Sequence, residues 1–358
     1  MHTPFIIATL TIMQPDRTKC KPAATGAVVP GAAASAWLSA AVATLLAAAA
    51  APTARAQEYP SKPVVIVVPA AAGGPTDTLA RNLGVAMGSA LKQQMIIDNS
   101  GGAGGTIGIN KAAKARPDGY TVLLYHIGMS TSPALYRQLP YDTVNDFEYI
   151  GQVADVPMTL VAKKEMSPRT FGEFLAYARV NQSTLTYANA GIGSASYLCG
   201  LLFMSTIQAD FTTVPYRGTG PAMTDLVAGR VDFMCDPTTN TTPQIKAGTI
   251  KVYGVTSNVR VPSLPDVPTL DEQGLKGFAL VVWNGLFAPR GTPKPALDRL
   301  VGALQTAVTD PAFKTRLADL GAEPVPLAKA TPESLRTLLK SEIDKWGLII
   351  RKTGVYAD

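Results

Sequence analysis

The stretch VVIVVPAAAGGPTDT occupies residues 64–78 and contains the strongest fold signal in the chain. Its β-branched run at 64–68 predicts a strand that is buried on both faces, as in parallel sheets. Pro69 ends this strand, and Pro75 favours the first turn of a helix. Ligands of open parallel sheets lie beyond the carboxyl ends of strands and against helix N-termini. The stretch therefore predicts an α/β fold with a ligand-facing loop at 70–77.

The same alternation of short apolar runs and helical patterns continues along the chain and predicts parallel α/β layers. Further strands are expected at residues 95–97, 120–125, 158–161, 185–188, 212–215, 231–235, 251–256 and 281–287. Beyond residue 287 we expect only helices, which need an existing sheet to cover. We therefore predict a two-lobe clamshell with a discontinuous first domain, made of residues 57–157 and 284–358, and a second domain at 158–283.

The N-terminal part of the chain has the pattern of a targeting segment. Basic residues precede an alanine-rich apolar run at 32–51, and Ala54-Arg55-Ala56 supplies a small-x-small cleavage site. An uncleaved membrane anchor is the alternative, because the apolar run is nearly long enough to span a bilayer. Alanine is a weak membrane residue, so the pattern favours a signal peptide at 1–56 and an exported protein.

Charge and cysteine usage exclude several classes of function. The formal net charge of +6 falls to +3 when residues 1–56, with four basic residues and one acidic residue, are removed. The remaining charges are scattered, so we expect no nucleic-acid partner. One histidine, His126, and two cysteines, Cys199 and Cys235, then remain, which argues against a zinc site. The two cysteines either form a disulfide or stay as buried thiols, and the sequence leaves this open.

Two glycine-containing loops are the main candidates for a binding site. Each follows a predicted strand and enters a helix, so backbone N–H groups are available to an anion. Taken singly, each loop is an ordinary strand-to-helix turn, whereas the pair, facing each other across a cleft, predicts a site for a carboxylate. The candidate residues from these loops and from nearby strand ends are Ala72, Gly73, Gly74, Thr76, Asp77, Ala190, Gly193, Ser194, Tyr216 and Asp236.

Enzymatic alternatives have weaker support. The glycine-rich stretch at 101–108 departs from the G-x-G-x-x-G spacing of dinucleotide-binding loops. Ser194 does not lie in a G-x-S-x-G motif, and a hydrolase would depend on His126 as its base. A structural role for His126 is the alternative. We expect a protein without catalytic activity, cofactor or metal.

Seven short motifs in order carry a resemblance to a known family. They are Tyr59-Pro60-Ser61-Lys62-Pro63, residues 68–77, Gly102-Ala103-Gly104-Gly105, Pro117-Asp118-Gly119-Tyr120, Val214-Pro215-Tyr216-Arg217-Gly218, Leu264-Pro265-Asp266-Val267-Pro268-Thr269 and Ala288-Pro289-Arg290-Gly291-Thr292-Pro293. From Tyr59 to the C-terminus the chain resembles the solute-binding proteins of tripartite tricarboxylate transporters, the Bug family.

The resemblance implies a two-lobe periplasmic binding protein fold and a location in the periplasm. It also implies capture of a small carboxylate and its delivery to membrane permease subunits. In the family, the loops that match residues 72–77 and 190–194 bind the ligand, and Ser130 and Thr131 match residues that line the cleft. We expect a monomer. A ligand co-sensor for a signalling system is the alternative within the same fold, and an exported serine hydrolase is the alternative from another class.

Overall fold

The computed structural model describes residues 59–353, 356 and 357, and the expected signal peptide at 1–56 lies outside them. The strands are β1 (Val64–Val68), β2 (Met95–Asn99), β3 (Thr121–His126), β4 (Phe147–Lys163), β5 (Thr186–Asn189), β6 (Thr212–Pro215), β7 (Phe233–Pro237), β8 (Ile250–Val255), β9 (Val281–Pro289) and β10 (Glu323–Pro324). The helices are α1 (Pro75–Leu91), α2 (Thr106–Ala113), α3 (Gly128–Leu135), α4 (Phe171–Val180), α5 (Ala195–Ile207), α6 (Thr219–Val227), α7 (Thr238–Lys246), α8 (Lys294–Thr309), α9 (Pro311–Asp319) and α10 (Pro332–Thr353). No helix within these described parts is long and apolar enough to cross a membrane.

The strands form one mixed sheet with two halves, which we call lobe 1 and lobe 2. Lobe 1 has the strand order β2-β1-β3-β9-β4, and β10 also pairs with β4. Lobe 2 contains β8, the end of β4, and β7, β5 and β6. The 17-residue strand β4 belongs to both lobes, because it pairs with β9 through Pro157 and with β7 from Met158 onward. The fold is thus a two-lobe α/β arrangement.

The predicted parallel pairing occurs within each lobe but not for the strands that connect the lobes. The pairs β1·β2, β1·β3, β5·β6 and β5·β7 are parallel. In contrast, β4 and β9 run antiparallel to each other and to their other neighbours. One strand carries the chain out of lobe 1 and the other brings it back, so the two must run in opposite directions.

The core of lobe 1 includes one face of α1. On α1, Leu79, Leu83 and Met87 form a fully buried stripe. The helices that follow β9 return to lobe 1. This was expected, because helices without new strands of their own need an existing sheet to cover. There α8 packs on α1, and α10 packs on α3 and β4.

A disulfide joins Cys199 of α5 to Cys235 of β7, with 6.0 Å between their Cα atoms. Both residues are buried. The open question about the two cysteines is thereby resolved in favour of the bond. Because α5 begins beside one candidate loop and β7 ends at Asp236 and Pro237, the disulfide ties together two elements that reach the cleft between the lobes.

Candidate ligand-binding cleft

A cavity of about 640 Å³, including its opening to solvent, lies between the two lobes. Its polar lining residues are Thr76, His126, Ser194, Ser196, Arg217, Thr219, Asp236, Thr239 and Asn284. Most of them follow the carboxyl ends of β1, β5, β6 and β7, where parallel strands of an open sheet place their ligands.

Four helices begin at this cavity. Residues at the starts of α1, α5, α6 and α7 line it, among them Thr76, Ser194, Thr219 and Thr239. The first N–H groups of a helix have no partner within the helix, and the helix dipole adds a partial positive charge there. The sequence predicted the contributions of α1 and α5, whereas those of α6 and α7 were not expected. The cavity therefore attracts anions more strongly than two loops alone would.

Arg217 adds a full positive charge to this environment. Its side chain is exposed at the cavity, and it is the only lysine or arginine among the described residues of the lining. Arg217 lies in the motif Val214-Pro215-Tyr216-Arg217-Gly218 but was not among the candidate residues from the sequence. Tyr216, which was selected, instead donates its hydroxyl to Asp225 at 2.8 Å and lines a separate surface depression with Ala72 and Gly73.

Asp236 is the acidic side chain of the cavity. It is fully buried, and its Oδ2 accepts a hydrogen bond from the amide of Asn240. Its Oδ1 has no partner among the described residues, and the same holds for the hydroxyls of Thr219 and Thr239. Burial raises the pKa of Asp236 to about 7, against the lowering effects of the Asn240 amide and of the nearby Thr219 hydroxyl, which does not reach hydrogen-bonding geometry with the carboxyl group. Buried polar atoms are normally hydrogen-bonded, so these three atoms are available to a ligand or to water.

Ser194 acts in this structure as the N-cap of α5. Its Oγ accepts from the Tyr197 N–H at 3.2 Å and lies 3.1 Å from the Oγ of Ser196. Ser196 in turn accepts from the N–H of Ala190 at 2.9 Å, which fixes the loop before the helix. Both serines thus organise the entrance of α5 at the cavity.

His126 is a buried, neutral imidazole. Burial lowers its pKa to about 3, and its Nδ1 accepts a hydrogen bond from the Gly128 N–H at 3.2 Å. The proton of the neutral ring then lies on Nε2. No hydrogen bond joins His126 to Ser194 within the described part of the chain, so the nucleophile and base of a hydrolase are not paired.

Asp77 and Ser130 are not among the residues that line the cavity. Asp77 accepts from the Gly73 N–H and from Arg81, both at 2.9 Å, and these bonds outweigh burial and lower its pKa. It therefore fixes the shape of the β1–α1 loop. Ser130 donates to the carbonyl of Ile127 at 2.7 Å inside the start of α3.

The lobes touch each other at the rim of the cavity. Thr131 of lobe 1 donates to the carbonyl of Gly193 of lobe 2 at 3.2 Å. Gly104 of lobe 1, at φ +60°, lies so close to Ile192 that a Cβ would overlap the Ile192 carbonyl oxygen. Gly218 approaches Ala71 in the same way, since a Cβ there would lie 3.0 Å from the Ala71 Cβ. Several glycines thus allow backbone-to-backbone contact between lobes.

The fold and the cleft together define a two-lobe solute-binding protein of the periplasmic type. Residues 79–355 match the family model described as the tripartite tricarboxylate transporter family receptor. The chain belongs to this family, which confirms the resemblance found in the sequence.

Similar proteins agree with this assignment. A UPF0065 protein of Agrobacterium vitis is 48% identical over 302 residues, which cover 84% of this chain and 87% of that protein. The periplasmic binding protein BugD is 48% identical with a TM-score of 0.81, over 83% of this chain and 99% of BugD. MatC of Rhodopseudomonas palustris, solved with bound malate, is 40% identical with a TM-score of 0.78, over 82% of this chain and 100% of MatC. The family consists of solute-binding proteins.

Proposed function

We propose that this chain is a periplasmic receptor that captures a small carboxylate between its lobes and delivers it to membrane permease subunits, without chemical turnover. The observation that carries the proposal is the convergence of four helix N-termini and Arg217 on one cavity. The malate bound to MatC supports a carboxylate as the class of solute. We assign residues 57–157 and 284–358 to one domain and 158–283 to the other, which the change of β4 partners after Pro157 supports.

The strength of such a site follows from its donors. A hydrogen bond from an N–H group to a charged acceptor contributes roughly 1.5–3 kcal/mol. About four such bonds give roughly 8 kcal/mol, which corresponds to binding in the micromolar range. The four helix starts and Arg217 are sufficient to supply this number of donors without any metal ion.

The candidate residues divide into two roles in this proposal. We assign direct contact with the solute to residues that line the cavity, namely Gly74, Thr76, Ala190, Ser194, Arg217 and Asp236. We assign the shaping of the loops and the closure of the rim to residues outside the lining, namely Ala72, Gly73, Asp77, Ser130, Thr131, Gly193 and Tyr216.

A thermal-shift panel tests this proposal. The protein is melted with mono-, di- and tricarboxylates and with amino acids, and a bound solute stabilises the folded state by RT ln(1 + [L]/Kd). We expect at least one carboxylate to raise the melting temperature further as its concentration rises, and Arg217→Gln to reduce that rise at every concentration. A cooperative melt that no member of the panel shifts would contradict the carboxylate class.

The delivery step and the absence of turnover need separate measurements. Cells that contain the permease subunits should take up the labelled solute only when this chain is present. Solute recovered from the protein should be chemically unchanged. Turnover that Ser194→Ala abolishes would instead support a hydrolase, and normal uptake without this chain would contradict the receptor role.

A further inference from the structure

The anion-binding cavity contains a buried acid, which creates an electrostatic conflict. Asp236 belongs to the lining of the cavity, but it is fully buried, with none of its surface accessible to bulk water. A solute carboxylate at the same helix N-termini places a second negative charge nearby. Like charges in a site of low dielectric constant repel strongly, and one of the two groups then retains a proton.

The hydrogen bonds of Asp236 indicate where that proton resides. Its Oδ2 accepts from the Nδ2 of Asn240, so this oxygen is already used as an acceptor. Its Oδ1 is buried without a partner. A protonated carboxyl group has one O–H donor, which is therefore available only on Oδ1. A solute carboxylate oxygen is the acceptor that fits this donor.

The surrounding ionisable groups do not neutralise Asp236. The ionisable groups that line the cavity are Tyr125, His126 and Arg217. Those on elements packed around β7 are Glu148, Tyr149, Asp155, Lys163, Tyr187, Tyr197, Asp225 and Lys246. The charged ones have partners other than Asp236: Asp155 pairs with Lys329, Lys163 with Asp232 and Asp225 with Arg230, Glu148 accepts from the Gly291 N–H, and Lys246 donates to the carbonyl of Asp319. On the neighbouring α1, Asp77 pairs with Arg81. His126 is neutral, and no ion pair joins Arg217 to Asp236 within the described residues.

We infer that Asp236 is neutral in the solute-bound protein and donates a hydrogen bond from Oδ1 to a solute carboxylate, so that capture is coupled to uptake of a proton. This inference rests on the proposed function, because it requires a carboxylate in the cavity. It makes Asp236 a residue that binds the solute and also sets the pH range in which capture is strong.

The direction of the pH dependence follows from the free protein. Burial raises the pKa of Asp236 to about 7, so the free protein loses this proton as the pH rises through 7. The bound form keeps it. Affinity is therefore full below pH 7 and falls by about tenfold for each pH unit well above it. Solute carboxyl groups titrate below pH 7, the second group of a dicarboxylate higher than the first, so the fall in affinity above pH 7 does not reflect ionisation of the solute.

Calorimetric titration of malate from pH 6 to pH 9 tests the coupling, with succinate as a second probe that lacks the hydroxyl group. Wild-type protein should lose affinity for both acids above pH 7. In buffers of different ionisation enthalpy at pH 8, binding should take up nearly one proton. Asp236→Asn cannot ionise but still offers an N–H donor, so it should lose the pH dependence and the proton uptake. At pH 9 it should bind malate about tenfold or more tightly than wild type does.

The matched control is Asp298→Asn on α8, an exposed residue paired with Lys294, which should keep the wild-type pH profile. Wild-type affinity that does not change with pH would overturn the inference. An affinity that rises with pH, with a growing preference for malate over succinate, would also overturn it, because Asp236 would then accept from the solute hydroxyl as an anion. Absence of binding by any carboxylate at every pH would instead contradict the proposed function itself.

Discussion

Replacement of Gly104 by alanine tests whether contact between the lobes is part of solute capture. Gly104 lies in the short 3₁₀ turn Ala103–Gly105 and adopts a left-handed conformation with φ +60°. A Cβ at this position would lie closer than 3.0 Å to the carbonyl oxygen of Ile192 in the other lobe. The backbone oxygen cannot rotate away as a flexible side chain would, so the rim must open.

The expected effect has two parts that act on different equilibria. The left-handed conformation costs alanine about 1 kcal/mol whether the lobes touch or not, and this part lowers the stability of the fold. The overlap with Ile192 exists only when the lobes touch. Overpacking typically costs 1–3 kcal/mol, so we expect about 2 kcal/mol against the closed state and a loss of affinity of about 30-fold.

The matched control is Gly277→Ala. Gly277 has a similar φ of +73°, and a Cβ there would meet no heavy atom within 4 Å. Both variants should show similar small losses of stability in urea unfolding, whereas only Gly104→Ala should lose affinity for malate in calorimetric titration. Equal affinity in the two variants would refute the account of rim closure by glycine contacts.

Three further changes have definite expected results. Arg217→Gln should weaken malate binding by about tenfold or more through loss of a charge-assisted contact of roughly 1.5–3 kcal/mol, and calorimetry that finds no change relative to the exposed control Arg299→Gln would contradict its role. The double replacement of Cys199 and Cys235 by alanine opens a 36-residue loop and should lower the free energy of unfolding by roughly 4 kcal/mol in urea titrations, so a loss below about 1 kcal/mol would be inconsistent with the disulfide. Ser194→Ala removes the N-cap bond to Tyr197 and should cost about 1 kcal/mol of stability in the same assay, whereas an unchanged unfolding midpoint would argue against capping.

The elements with strong local signals were predictable from the sequence. The β-branched run of β1 and the apolar stripe of α1 define one side of the cleft, and Gly74 and Ser194 were correctly expected at helix starts there. The C-terminal helices were expected to return to lobe 1, because helices without new strands need an existing sheet to cover.

Other elements depend on distant partners. The first half of β4 was not predicted, since its pairing strand β9 lies more than a hundred residues away in sequence. Helix α7 was missed because its sequence, TTNTTPQIK, combines threonines with an internal proline and has low helix propensity. The start of α4 is set by Thr170, whose hydroxyl accepts from the Glu173 N–H, while the Glu173 carboxylate accepts from the N–H of Arg169 before the helix.

The direction in which side chains point was the main feature of the site that could not be predicted from the sequence. Tyr216 and Arg217 are neighbours after β6, and sequence gave no basis to decide which one faces the cavity. The structure turns Tyr216 toward Asp225 and leaves Arg217 at the lining. The burial of Asp236 could not be predicted from the sequence either, because it results from the helices that surround the end of β7.

The most direct test of the central claim is native mass spectrometry of the protein purified from cells that express the full chain, before and after mild unfolding and refolding. We expect one small carboxylic acid per protein molecule, lost on unfolding and recovered chemically unchanged. A protein that carries no small acid and that binds none of the added mono-, di- or tricarboxylates after refolding would contradict the claim that this cleft captures a carboxylate.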